Sequence, residues 1–314
     1  MKVLIPRSLE LTLDVPDGDS LVSYDPTLPV ADADLDAQVL IADGNTAAQL
    51  ADTAERLVHL LWVQSLAAGT EAMLTAGLRE GVVITSGRGL HDATVAEHTL
   101  ALVLSGLRSL PTLGRLQQRH EWSNQFGGAQ REGPNDPLIT LAGANVTIWG
   151  FGSIAAALAP LLRALGAHVV GVAHTAGERA GFPVIAVDEL DARLAVTDIL
   201  IGIIPGSPEN RQVIDARRIG LLPARAWIIN VGRGSTLDET ALLQALRDGR
   251  IAGAALDVFE HEPLPPESPL WDEPRLTITP HSAGGRPRGA AALITRNLDA
   301  LHRGVPLENV VPRT

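Results

Sequence analysis

The chain has 314 residues, 46% of them hydrophobic and 19% charged, with a formal net charge of −11. That length leaves room for two domains of roughly 150 residues each, and that charge, with no basic patch to offset it, argues against nucleic acid or an anionic membrane as a partner. The absence of cysteine excludes disulfides, thiolate catalysis and zinc–thiolate sites, no apolar run approaches the ~18 residues of a membrane span, and an N-terminus broken by Pro6 without a signal-peptide core makes a cytoplasmic protein the expectation.

The first third alternates strand-like and helical patterns. Residues 3–5 form an apolar run that Pro6 ends. Residues 21–24 and 39–42 are further strand candidates, the second bounded by Asp43, Gly44 and Asn45. Residues 47–57 carry helical spacing through Leu50, Ala54 and Leu57. Residues 60–63 and 82–85 read as strands again, the first followed by Ser65-Leu66-Ala67-Ala68-Gly69, the second by Ser86-Gly87. Strands separated by helices imply a parallel sheet with both faces covered.

Residues 95–110 then read as one long helix, with Leu100, Leu102, Val103, Leu104, Leu107 and Leu110 spread over all its sides. It is too apolar for a surface helix and is expected to pack between units and enter a subunit interface. Residues 117–137 are polar, rich in Gly, Asn and Gln, and hold Trp122; they are expected to be a loop.

The second unit starts at NVTIWGFGSIA, residues 145–155. Val146, Ile148 and Trp149 favour a strand, Gly150 and Gly152 follow, and Ile154, Leu158, Leu161, Leu162 and Leu165 recur at helical spacing up to Gly166. Strand, glycine turn and helix together form a dinucleotide-binding pattern. Gly150 allows the tight turn, and Gly152 lets backbone N–H groups reach a pyrophosphate at the positive end of the helix. Pro160 sits inside that helix, removes a donor and is expected to bend it. The next strand covers residues 168–173. An acid at its end, about 20 residues past the first glycine, would hold the ribose hydroxyls of NAD. Ala173, His174 and Thr175 stand there, so the phosphorylated cofactor is not disfavoured, and His174, Thr175 and Arg179 are candidates for its 2′-phosphate or else a solvated loop.

Later strands end in chemistry. Residues 199–204 run into Pro205-Gly206-Ser207-Pro208, and residues 226–231 into Gly232-Arg233-Gly234. A helix over residues 238–246 is capped by Asp238. Residues 254–259 carry Asp257 and lead to Glu260-His261-Glu262-Pro263, and residues 276–279 end at Pro280-His281. A short tail holds one amphipathic helix over residues 291–301. In open α/β sheets the ligand crevice lies beyond the carboxyl ends of the strands. A guanidinium there binds a carboxylate with two hydrogen bonds and polarises a neighbouring carbonyl. A histidine passes a proton to a developing alkoxide, and a carboxylate bonded to it fixes its tautomer. Arg233, Glu262 and His281 each have a bland alternative as a surface charge, a loop acid or a strand cap. As a set beside a nicotinamide they suit reduction of a 2-oxo acid.

These segments resemble the D-isomer-specific 2-hydroxyacid dehydrogenases over most of the chain. The carriers are WGFGSIA, IIPGSPENRQVI, IINVGRGSTLDETALLQAL, GAALDVFEHEPL and LTITPHSAGG, with VQSLAAGTEAM and ATVAEHTLALVLSGLRSL in the first part. The resemblance implies an α/β fold of two Rossmann/flavodoxin-like domains with parallel sheets. The substrate domain, residues 1–92, is discontinuous and completed by 286–314; residues 93–285 form the dinucleotide-binding domain. It implies NAD(P)H as cofactor, a small 2-oxo or 2-hydroxy acid as substrate, no metal and a homodimer.

Residue by residue, the resemblance implies that Arg233 binds and polarises the substrate and that His281 is the acid/base, paired with Glu262. Asp257 would hold the nicotinamide carboxamide, and Gly150, Gly152, Ser153, Ile154 and Pro205 would line the cofactor. Ala68 and Gly69 would offer backbone N–H groups to the substrate carboxylate. Departures from the family pattern are Ala173 in place of an acid, Ser207 in place of a threonine, and no arginine at Gly44-Asn45, where the phosphoglycerate branch has one. Arg286 and Arg288 add positive charge after His281, read as a solvated helix start. Glyoxylate or hydroxypyruvate reduction is the leading reading. A short phosphoglycerate dehydrogenase or a non-catalytic nucleotide-sensing protein is the alternative, and the glutamine of formate dehydrogenases is absent at Glu262.

Overall fold

A computed structural model describes residues 1–124 and 136–313. The chain divides into two compact units, Met1–His91 with Arg286–Thr314, and Asp92–Gly285.

The first unit begins β1 (Lys2–Pro6), β2 (Ser20–Tyr24), β3 (Val39–Ala42), α1 (Ala47–Arg56), β4 (Trp62–Ser65), α2 (Glu71–Thr75) and β5 (Val83–Thr85). Its five strands are all parallel in the order β2-β1-β3-β4-β5, the flavodoxin-like winding. The inner strands β1, β3 and β4 are short and almost wholly buried because both faces are covered, while the edge strand β2 is largely exposed. Successive side chains point to opposite faces, so Leu4, Leu40 and Val63 enter one core while Val3, Ile5, Val39, Ile41 and Trp62 enter the other. Thr46 caps α1 by accepting the Gln49 N–H.

The second unit holds α3 (Asp92–Leu107), α4 (Leu110–Gln118), β6 (Asn145–Trp149), α5 (Ser153–Ala164), β7 (His168–Ala173), β8 (Gly177–Arg179), β9 (Phe182–Ala186), α6 (Leu190–Leu194), β10 (Ile199–Gly202), α7 (Ala216–Leu221), β11 (Trp227–Asn230), α8 (Glu239–Arg247), β12 (Gly253–Leu256) and β13 (Leu276–Ile278). The chain then returns to the first unit through α9 (Ala290–His302), which lays Leu293, Ile294 and Leu298 on the core face of Val3, Ile5 and Trp62.

The eight-stranded sheet has the order β13-β12-β11-β10-β6-β7-β9-β8. From β6 the chain first builds outward through β7 and then crosses to β10, so the Rossmann switch point lies between β6 and β10, beside the glycine turn. One face packs on α3 and α5 through Val103, Leu107, Leu158 and Leu162; the other packs on α6, α7 and α8 through Leu194, Ile219, Leu242 and Leu246. Trp227 of β11 is seated between two glycines. A Cβ on Gly106 of α3 or on Gly253 of β12 would come within 2.5 Å of the indole.

Three details differ from the sequence expectation. The parallel sheet ends in an antiparallel pair, β8 with β9. The helix expected over residues 95–110 is two helices. Ser109 takes a left-handed conformation (φ 54°) and breaks it, and Pro111 sits in the first turn of α4, where the missing N–H is not needed. The loop expected over 117–137 starts after α4, and its residues 125–135 lie outside the described residues. Pro160 is accommodated inside α5. Among the described residues no helix is long and apolar enough to cross a membrane, and no group of three His, Cys, Asp or Glu side chains converges as a metal site.

Candidate active site

The glycine turn leaves the central strand at the switch point. Gly150 has φ 98°, and a Cβ there would stand 2.3 Å from the Ile203 carbonyl oxygen, so no other residue fits. The turn is fastened by Gly150 and Phe151 N–H groups donating to Val172 O at 3.0 and 3.2 Å. Gly152 is the N-cap of α5, with no protein atom within 4 Å of the position a Cβ would take and no side chain capping the helix. The first-turn N–H groups of Ser153 and Ile154 therefore have no partner within the helix, and the space above them is open. Ala155 is fully buried in the core that includes Val146 and Ile148 of β6. Ser153 Oγ donates to Asp92 Oδ1 (3.0 Å). Uncapped amides, a helix dipole and an empty approach fit a pyrophosphate.

At the end of β7, Ala173 is half-buried, while His174, Thr175 and Arg179 are exposed. Arg179 spans the turn, its guanidinium donating to Phe151 O (3.2 Å) and Thr175 O (3.1 Å). The structure thus gathers the glycine turn, the β7 end and one cation, with no acid at Ala173, His174 or Thr175. Pro205, exposed beyond β10, accepts Asn210 Nδ2–H at 3.1 Å.

Arg233 lies beyond β11 between two glycines that close approach requires. A Cβ on Gly232 would stand 2.7 Å from Ile204 N and O, and one on Gly234 would stand 1.8 Å from the Phe259 carbonyl carbon. The arginine backbone is thereby wedged between the segments leaving β10 and β12. Asn230, fully buried, completes the wedge by donating to Arg233 O (3.1 Å) and accepting the Gly232 N–H (3.2 Å), and Thr236 Oγ donates to the same carbonyl at 2.7 Å. The guanidinium donates to Gly232 O at 2.8 Å.

His281 Nδ1 and Glu262 Oε2 are 2.7 Å apart. The other carboxylate oxygen of Glu262 accepts the Phe259 N–H at 2.9 Å, which orients the acid from its own loop. Against a carboxylate Nδ1 is the donor, so the Nε2 atom of the half-exposed ring is left to other partners. Beside this loop Glu239 accepts the Glu260 N–H at 2.7 Å, and burial pushes its carboxyl above the usual range. Arg211 pairs with Glu260 on the outside.

Asp257, expected to hold a nicotinamide carboxamide, is 1% exposed, and its carboxylate accepts from Thr279 Oγ and from the Ser282 and Ala283 N–H groups of the segment that carries His281. Asn230, Thr279 and Ser282 were not singled out from sequence, although Asn230 immediately precedes the Val231-Gly232-Arg233-Gly234 turn. Ala68 and Gly69 lie in the first unit, in the bend after β4, where the Gly87 N–H donates to Ala67 O at 2.8 Å and a Cβ on Gly87 would stand 2.0 Å from Leu66 O.

Comparison with known proteins agrees with this architecture. Residues 100–283 match the family model described as D-isomer specific 2-hydroxyacid dehydrogenase, NAD binding domain. A D-isomer specific 2-hydroxyacid dehydrogenase family protein from Aeromonas salmonicida is 29% identical, with a TM-score of 0.83 over 100% of this chain and 99% of that one. An NADPH-dependent glyoxylate/hydroxypyruvate reductase from Sinorhizobium meliloti, solved with NADP and sulfate, is 25% identical, with a TM-score of 0.81 over 99% and 98%. A D-isomer specific 2-hydroxyacid dehydrogenase from Xanthobacter autotrophicus, solved with NADPH and MES, is 28% identical, with a TM-score of 0.79 over 99% and 98%.

Proposed function

The chain belongs to the D-isomer-specific 2-hydroxyacid dehydrogenase family, and on that premise we propose that it reduces a small 2-oxo acid of the glyoxylate or hydroxypyruvate kind to its D-2-hydroxy acid with NADPH. As a member it is an oxidoreductase of CH–OH groups that uses NAD(P)H. The observation that carries the finer reading is the 2.7 Å His281–Glu262 pair presented beyond the same strand ends as Arg233.

When bound, the nicotinamide supplies a hydride to the carbonyl carbon. Arg233 binds the substrate carboxylate and draws electron density from the 2-oxo group. The hydrogen bond from its guanidinium to Gly232 O removes part of the freedom that a long cationic side chain otherwise loses on binding. His281 donates the Nε2 proton to the oxygen as negative charge builds on it, and Glu262 holds the ring in the tautomer that makes Nε2 the exchanging atom. In the oxidative direction the same nitrogen takes the proton back. Residues 93–285 serve as the dinucleotide-binding domain and residues 1–92 with 286–314 as the substrate domain, where Ala68 and Gly69 offer backbone N–H groups to the carboxylate.

NADPH is favoured over NADH because β7 ends in Ala173 with His174, Thr175 and Arg179 following, a set that leaves a 2′-phosphate unopposed. Two neighbours of this fold are NADPH-dependent glyoxylate/hydroxypyruvate reductases. The protein is also read as a homodimer: Leu110 on α4 is 52% exposed and Trp122, just beyond it, 93%.

Absorbance loss of NADH and of NADPH with glyoxylate, hydroxypyruvate, pyruvate and a branched 2-oxo acid tests the whole reading. Turnover is expected with NADPH and a short 2-oxo acid, and Ala173→Asp should move the NADPH/NADH ratio of kcat/KM towards NADH by roughly tenfold. A ratio that does not move places the ribose site elsewhere.

A further inference from the structure

Asp257 carries a charge-bearing group almost wholly out of water, and such a group has to be ringed by donors. Its Oδ1 accepts Thr279 Oγ–H at 2.6 Å and the Ser282 N–H at 2.9 Å, and its Oδ2 accepts the Ala283 N–H at 3.0 Å. Its main-chain carbonyl accepts the His281 N–H at 2.7 Å. One aspartate therefore grips three consecutive residues, and the first of them is His281, held at φ 49°, a left-handed conformation that a histidine rarely adopts.

A second histidine stands behind this grip. His98 of α3 places Nε2 3.1 Å from Thr279 Oγ and 3.4 Å from Asp257 Oδ1. The Thr279 hydroxyl has one proton, and at 2.6 Å it goes to Asp257. The oxygen is then left only to accept, so the hydrogen between the two side chains sits on His98 Nε2. The order of donation is fixed from helix to carboxylate: His98 to Thr279, Thr279 to Asp257, and backbone amides to the same carboxylate from the other side.

We propose that His98 is a positioning residue for the acid/base His281, acting through Thr279 and Asp257 and touching neither substrate nor cofactor. By orienting the Thr279 hydroxyl it keeps the Asp257 carboxylate turned to the Ser282 and Ala283 amides, and thereby fixes the backbone on which the His281 ring is mounted. The inference rests on the reading of His281 as acid/base. Small displacements of a proton donor are expensive in rate and cheap in binding.

The test uses the whole protein with His98→Leu, which removes the donor, and His98→Gln, which retains an N–H donor of similar reach. Expected for His98→Leu is a kcat lower by roughly ten- to a hundredfold, with the NADPH dissociation constant, read by tryptophan fluorescence, unchanged. His98→Gln should recover most of the lost kcat. In a His281→Ala background, His98→Leu should have no further effect on turnover, because two residues acting through one group are not additive. A His98→Leu kcat within twofold of the parent overturns the proposal. So does an equal loss in both His98 variants accompanied by an equal fall in Tm, which assigns His98 to helix packing. Normal turnover of His281→Ala alone would instead overturn the acid/base reading beneath it, and so separates the two failures.

Discussion

Each unit buries a polar network at the strands of its sheet, and the two networks are made of different groups. In the first unit Gln64, Thr85 and Asn297 are all fully buried. Gln64 Oε1 accepts from Thr85 Oγ and Asn297 Nδ2, each at 2.9 Å, and its amide donates to Ser65 O and Ser86 O. Trp62 Nε1–H donates to Thr85 Oγ at 2.8 Å, and Asn297 Oδ1 accepts the Glu308 N–H at 2.7 Å. Every member is neutral, and the network fastens α9 and the chain after it to β4 and β5. In the second unit the centre is a carboxylate, Asp257, and what it fastens is the backbone of His281. Neutral amides with all partners satisfied hold the ends of a chain together. A buried carboxylate also dictates the direction of every donor around it, which suits a site where one ring must be aimed.

The largest effect expected from breaking this pairing of structure with chemistry is on His281 itself. His281→Ala should lower kcat by about a hundredfold or more while NADPH binding and thermal stability stay at parent values. Unchanged turnover would remove the acid/base assignment. Asn297→Leu attacks the other network. It strips one donor from Gln64 and leaves the Glu308 N–H without its acceptor, so urea unfolding should show a loss of about 1–3 kcal/mol with kcat unchanged. A fall in kcat beyond that of stability would mean that the neutral network also serves the chemistry. The smallest effect concerns Glu239. Burial raises its carboxyl, the Glu260 N–H opposes this, and the charge of Glu260 adds to it. A raised carboxyl makes ionisation costly in the folded state. That cost is absent below the unfolded value of about 4.3 and complete above the raised one. Glu239→Gln should therefore raise Tm at pH 8 by roughly 1–3 °C, and the gain should shrink as the pH falls towards 4. A gain that is the same at both pH values would trace to packing.

What was legible in the sequence was local. Gly150, Gly232 and Gly234 are required where they stand, and the strand and helix patterns around them are strong, so the turn and the arginine could be placed by inspection. The edge hairpin was not legible. It turns through Ala180 (φ 51°) and Gly181 (φ 75°), and alanine gives no signal for the left-handed conformation that a two-residue hairpin needs. The break at Ser109 was hidden in the same way. The environment of Asp257 was out of reach for another reason. An acid at a strand end is visible, but its donors lie 22 to 26 residues further on, and His98 bonds a threonine 181 residues away. Nothing in the spacing of a sequence says which of two ends of a carboxylate's surroundings, ligand or protein, supplies the donors.

The seat of Trp227 has a consequence for how this chain can drift. One indole fills the space two glycines leave, on α3 at Gly106 and on β12 at Gly253. A methyl group added at either position meets the ring, and a smaller ring empties both seats together. The three positions, more than 140 residues apart at their extremes, are in effect a single heritable character. Among relatives, an alanine at either glycine is expected only in lineages where the tryptophan has already been lost, and an alignment deep enough to hold such lineages would show that order of events.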